Sequence, residues 1–141
     1  MVGVDIVDIN RISRALARYG DRFLEKCFSS REVEYIVIKK RSSETAAGRF
    51  AAKEAFMKAA GRRLAWKEIE VLQTGGRPFI LYRGETYEGV SISHERSYAV
   101  AMVVTEAAIG KPDPEESSLH HPARHAYGDE AGGFDAKRGR E

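Results

Sequence analysis

Gly48-Arg49-Phe50-Ala51-Ala52-Lys53-Glu54-Ala55-Phe56-Met57-Lys58-Ala59-Ala60-Gly61 reads as a helix ending at a glycine, and its one carboxylate falls on the face expected to be buried. At 3.6 residues per turn Ala47, Phe50, Glu54, Met57 and Gly61 form a single stripe, so Glu54 shares an apolar face with Phe50 and Met57. An isolated ionised carboxylate in such a setting protonates, pairs with a cation or binds a metal. Asp5 is a second acid of this kind. It interrupts Val2-Gly3-Val4-Asp5-Ile6-Val7, an apolar run that reads as a buried strand. Either acid alone suits an ordinary surface or salt-bridged position; the two together point to one shared cation.

Working outward, Asp8 is placed to cap a helix with Ile12, Leu16, Tyr19 and Phe23 as its apolar stripe. Arg11, Arg14, Arg18 and Arg22 recur on the opposite face, an arginine ridge that either is solvated or docks an acidic protein or a nucleic acid backbone. Nucleic acid is disfavoured, because no aromatic residues interleave with the ridge. A second helix is expected around Arg31 to Lys39, and Ser42 or Ser43 is placed to cap the long one. Beyond Gly61 the period changes to two. Ile69 to Leu72 and Pro78 to Tyr82 flank the Gly75-Gly76 turn; Val90 to His94 and Tyr98 to Val104 flank Glu95-Arg96-Ser97. The ordered body is therefore expected to be α+β, helices packed on a mainly antiparallel sheet and ending near Thr105.

At 141 residues, 43% hydrophobic and 31% charged, the chain fits one ordinary domain. No apolar run is long enough to span a membrane and no secretory pattern opens the chain, so no membrane association is expected and a cytoplasmic location is. The single Cys27 has no partner for an internal disulfide and reads as a small core residue. Residues 10 to 63 carry 14 Lys or Arg against 6 Asp or Glu, so the front half is basic. Residues 107 to 141 lack a sustained apolar period and are expected to form a disordered tail after a domain spanning 1 to 106. His120, His121 and His125 in that tail match no closed metal site.

Val90 and Ile92 face opposite to Ser91 and Ser93, which leaves Ser93 and His94 at a strand end beside a tight turn, positioned yet accessible. No Ser-His-acid arrangement is legible, and Gly75-Gly76-Arg77 lacks the lysine and spacing of a phosphate loop.

Four segments in order carry a resemblance: Gly3-Val4-Asp5-Ile6; Phe50-Ala51-Ala52-Lys53-Glu54-Ala55 with Lys58-Ala59; Gly76-Arg77-Pro78; and Ser91-Ile92-Ser93-His94 ahead of Tyr98-Ala99-Val100-Ala101. Over residues 1 to 106 the chain resembles the holo-acyl-carrier-protein synthases, the short 4′-phosphopantetheinyl transferases. The resemblance implies that fold and an enzyme that transfers 4′-phosphopantetheine from coenzyme A to a serine of an apo acyl carrier protein. It also implies release of 3′,5′-ADP, Mg2+ as cofactor and a role in fatty acid biosynthesis. Asp5 and Glu54 match the family's Mg2+ ligands, and Lys53 its lysine near the pyrophosphate and leaving group. Arg49 is expected to hold coenzyme phosphate or adenine; Pro78, Ser93 and His94 match residues bordering the nucleotide. Arg11 and Arg22, with Arg14 and Arg18, match the carrier-docking helix. One copy of the fold per chain implies a homotrimer with sites between subunits. The acceptor of the serine proton stays open among Glu54, water on the cation and an acid of Arg31-Glu32-Val33-Glu34.

Two other classes compete. A non-catalytic module binding an acidic protein explains the ridge but not Asp5 and Glu54; a Mg2+-dependent nucleotide hydrolase explains the acids but not the ridge.

Overall fold

The structure, a computed structural model, describes residues 1–110. In chain order the elements are β1 (Val2–Asp8), α1 (Ile9–Tyr19), α2 (Asp21–Cys27), α3 (Ser30–Ile38), α4 (Ser42–Ala60), a short 3-10 turn (Trp66–Glu68), β2 (Ile69–Thr74), β3 (Arg77–Tyr82), β4 (Glu85–Tyr87), β5 (Val90–His94) and β6 (Tyr98–Val104). The strands form two antiparallel three-stranded sheets, ordered β1-β6-β5 and β2-β3-β4. The α+β architecture is as expected, with the strands divided between two sheets.

Helix α4 is the axis of the fold. It packs on β1, β6 and β5, and also on α1, α3 and β2. Every residue from Ala46 to Met57 is buried, so the single apolar stripe expected of this helix is replaced by burial all round. Its alanines make that possible, since they let neighbours approach from every side. The approach is closest at β1, where a Cβ added to Gly3 would lie 1.9 Å from the Ala55 carbonyl oxygen. Only glycine fits there.

The β1-β6-β5 sheet turns its small residues towards the helix. Gly3, Val7, Ala99, Ala101 and Val103 are buried, whereas Val2, Val4 and Ile6 are 55–64% exposed and Tyr98, Val100, Met102 and Val104 also face outward. The register places Val4 opposite Met102, Asp5 opposite Ala101 and Ile6 opposite Val100. The opening strand is therefore not buried on both faces, as its apolar run suggested. It alternates, and its larger residues point away from α4. Asp5 lies on the inward face with Gly3 and Val7.

The expected first helix is interrupted. Asp8 caps α1, its side chain accepting from the Asn10 amide at 2.8 Å, but Gly20 at φ 52° ends the helix and Phe23 belongs to α2. Ser29 and Glu32 form a reciprocal capping box at the start of α3. No side chain caps α4, whose preceding residue is Arg41 rather than the expected serine. At the other end the described residues run past the expected boundary at 106: Ile109 is buried and its carbonyl accepts from Arg62 at 3.3 Å. Residues 111–141, and with them the expectations for most of the tail and its histidines, lie outside the described residues.

Candidate active site

Helix α4 and strand β1 bring the two expected acids together. Glu54 is buried, and its Oε1 has no hydrogen-bond partner among the described residues. Burial pushes its pKa above the usual glutamate value, and the nearby Asp5 carboxylate pushes it further; Arg63, Lys58 and Arg11 act in the opposite direction. Asp5 Oδ1 accepts from Lys58 Nζ at 3.0 Å, and the same ammonium donates to the Val4 carbonyl at 3.0 Å. Lys58 was not among the expected site residues. Its place four residues after Glu54, one helical turn along, was the available signal.

Two neighbouring carboxylates, one with an orphaned buried oxygen, suit a hard cation. Mg2+ characteristically takes one or two carboxylates and completes its shell with substrate phosphates and water. Among the described residues no three His, Cys, Asp or Glu side chains converge on a closed metal site.

Lys53 departs from expectation. Its side chain is fully buried, and Nζ donates to Glu32 Oε1 at 2.6 Å, the Cys27 carbonyl at 2.7 Å and the Trp66 carbonyl at 2.9 Å. All three ammonium donors are used, leaving none for a phosphate. Successive helix residues point about 100° apart, so Lys53 turns towards α2 and α3 while Glu54 turns towards β1. Burial pushes the Lys53 pKa down, with Glu32 opposing. Glu32 also accepts from the Ser29 amide at 3.0 Å and the Val71 amide at 3.1 Å. Buried and saturated, it is no longer a candidate proton acceptor. Cys27 is buried as expected, and burial raises its thiol pKa to about 11, which leaves it unreactive.

A groove of about 260 Å³ lies beside the first half of α4 and contains Arg49, Tyr35, Pro78 and His94. Three of the four expected nucleotide-bordering residues thus meet. Arg49 lies 4.1 Å from the Tyr35 ring centroid and its Nε is buried without a partner; Lys39 approaches the same ring at 4.6 Å. Burial lowers the Arg49 pKa, with Tyr35 opposing, yet the guanidinium remains charged. His94 Nδ1 stands 2.9 Å from Glu44 Oε1. Gly48 admits β5: a Cβ there would lie 3.0 Å from Ile92. Ser93 is not part of the groove. It pairs with Val100 on the sheet face directed away from α4.

The arginine ridge spans two elements, Arg11, Arg14 and Arg18 on α1 and Arg22 on α2, separated by Gly20. All four are exposed. No acidic side chain pairs with any of them among the described residues.

A family model described as the 4′-phosphopantetheinyl transferase superfamily matches residues 1–103. The chain is 42% identical to the holo-acyl-carrier-protein synthase of Halothermothrix orenii, over 74% of this chain and 95% of that protein. The corresponding enzyme of Thermus thermophilus is 38% identical, over 75% and 92%. The Bacillus anthracis synthase, solved in complex with CoA (3′,5′-ADP), superposes with a TM-score of 0.65 at 36% identity, covering 72% of this chain and 91% of that one. The Helicobacter pylori synthase, solved with coenzyme A, superposes with a TM-score of 0.66 at 31% identity, covering 74% and 98%.

Proposed function

The chain belongs to the holo-acyl-carrier-protein synthases of the 4′-phosphopantetheinyl transferase superfamily, and from that premise we propose that it transfers 4′-phosphopantetheine from coenzyme A to a serine of an apo acyl carrier protein. The serine oxygen bonds to the β-phosphorus, the bond to the bridging oxygen breaks, and 3′,5′-ADP leaves. The serine proton passes to a base. The observation carrying this reading is the orphaned Glu54 Oε1 beside Asp5, on the same helix that lines an anion-accepting groove with Arg49.

Asp5 and Glu54 would hold Mg2+, which when bound neutralises charge on the pyrophosphate and its leaving half. Arg49 supplies donors to coenzyme phosphate from a wall fixed by Tyr35, and its burial strengthens that contact by excluding competing water. Pro78 borders the nucleotide without competing as a donor, and His94 presents the imidazole nitrogen not engaged by Glu44. Lys53 acts at a distance, holding α4 against α3 and the β2 end. With Glu32 sealed by Lys53 and two backbone amides, Glu54 and the exposed Glu34 remain as protein candidates for the serine proton.

Arg11, Arg14, Arg18 and Arg22 form the docking surface for an acidic carrier helix. The outward face of the β1-β6-β5 sheet exposes Val2, Val4, Ile6, Tyr98, Val100, Met102 and Val104 together, and we assign this contiguous apolar face to contact between copies of this chain in a homotrimer. Ser93 lies on that face, so its contact with coenzyme would arise at a subunit boundary. The product would serve fatty acid biosynthesis in the cytoplasm. No helix among the described residues is long and apolar enough to cross a membrane.

The test is the mass of an apo acyl carrier protein after incubation with this protein, coenzyme A and Mg2+. A gain of one phosphopantetheine unit is expected. Phosphate release without transfer would favour the hydrolase, and neither product would favour the docking module.

A further inference from the structure

We infer that Lys58 is an exchangeable counter-ion for Asp5, holding the carboxylate until a divalent cation displaces the ammonium. This rests on the reading of Asp5 and Glu54 as the cation's ligands. Lys58 Nζ lies 3.0 Å from Asp5 Oδ1 and 3.0 Å from the Val4 carbonyl. Both contacts are on β1, an edge strand whose only sheet partner among the described residues is β6, so the Val4 carbonyl adds a second anchor beside the carboxylate. Glu54 has no such partner: its Oε1 is orphaned. Arg63, Lys58 and Arg11 act on Glu54 only through space, whereas the ammonium of Lys58 is hydrogen-bonded directly to Asp5. A divalent ion bound at about 2.1 Å from an Asp5 oxygen would face an ammonium on the same carboxylate, two positive charges within a few ångströms. One must leave. Lys58 is the one able to go, since its side chain is 37% exposed on a flexible four-carbon stem that can swing into water. Lys53, with three internal acceptors and no exposure, has no such freedom.

The experiment uses the whole chain and Mn2+ as the probe, with free Mn2+ followed by electron paramagnetic resonance. Lys58→Met is expected to bind Mn2+ about tenfold more tightly than the wild type, to melt at a lower temperature without metal, and to show the larger rise on adding it. Unchanged or weaker Mn2+ binding by the variant would overturn the exchange. Displacement is separated from mere charge repulsion by lysine-selective NMR of the wild type with Mg2+. The Lys58 ammonium protons should be protected without metal and exchange like those of a solvated lysine once it is bound; continued protection would overturn the proposal. If neither protein binds Mn2+, or if Asp5→Asn binds it as well as the wild type, the cation site itself is refuted. The carrier mass assay reports separately on whether transfer occurs.

Discussion

Lys53 Nζ lies 2.6 Å from Glu32 Oε1, with neither side chain exposed to solvent. One ion pair therefore joins α3 to α4 inside the core, and through Glu32's acceptance from the Val71 amide it reaches β2. The lysine next to Glu54 in sequence serves the scaffold that orients that carboxylate.

Lys53→Met should lower unfolding free energy by about 3–5 kcal/mol, because it leaves Glu32 buried without a counter-charge. The double variant with Glu32→Gln should recover a large part of that loss. Urea unfolding measures both. A Lys53→Met protein of unaltered stability but reduced kcat would return Lys53 to the chemistry.

Glu54→Gln should stabilise the metal-free protein at neutral pH. The folded pKa of Glu54 lies above its unfolded value, so the cost of ionising it is absent below the ordinary glutamate range, about 4.3. The cost appears as pH rises through the folded value. Melting temperatures of variant and wild type should accordingly converge near about pH 4 and separate towards pH 7. A gap that widens in acid would contradict this. Mg2+ should raise the melting temperature of the wild type but not of Glu54→Gln, which should also lose most transfer activity.

Arg49→Ala should raise the KM for coenzyme A about 10- to 100-fold, the equivalent of one lost charge-assisted hydrogen bond. The KM for the carrier should hardly move. Arg49→Lys should restore only part, since an ammonium cannot reproduce the planar donor fork. Equal effects on both substrates would indicate a collapsed groove rather than a lost phosphate contact.

Replacing Arg11 and Arg22 together with Glu should raise the carrier KM at least tenfold and leave that of coenzyme A in place, because like charges would face each other across the docking surface. Raising salt from about 50 to 500 mM should act on the wild type in the same direction, since the screening length between exposed charges falls from about 14 Å to about 4 Å over that range. An unchanged carrier KM would make the ridge a solvated face.

Met102→Glu should dissociate the proposed assembly while leaving each protomer folded. Met102 is exposed in the single chain and faces outward opposite Val4, so a charge there is tolerated by a monomer and costly in an apolar interface. Sedimentation gives the mass and circular dichroism the fold. A wild-type protein that sediments as a monomer would refute the assigned contact.

Local chemistry was enough for much of this protein. The Asp8 cap, the glycine turn at Gly75-Gly76, the alternation after Gly61 and the anomaly of Glu54 beside Phe50 depend on neighbours in sequence, and periodicity reports neighbours directly. Asp5 and Glu54 stood out because each is an acid in an apolar run, whatever lies across from it. Tertiary structure alone decided which cation each charge meets. Lys53 and Lys58 are both lysines on one alanine-rich helix, and although helical spacing puts only Lys58 on the Glu54 face, their segment does not reveal that one is sealed against Glu32 and Trp66 while the other rests on Asp5. Their separation follows from what packs on each side of α4, and the same packing turned Val2, Val4 and Ile6 outward by filling the inward face with Gly3, Ala99 and Ala101. A helix surrounded on all sides has no polar face for a sequence pattern to reveal, so the partners of its charges are set by elements distant in the chain.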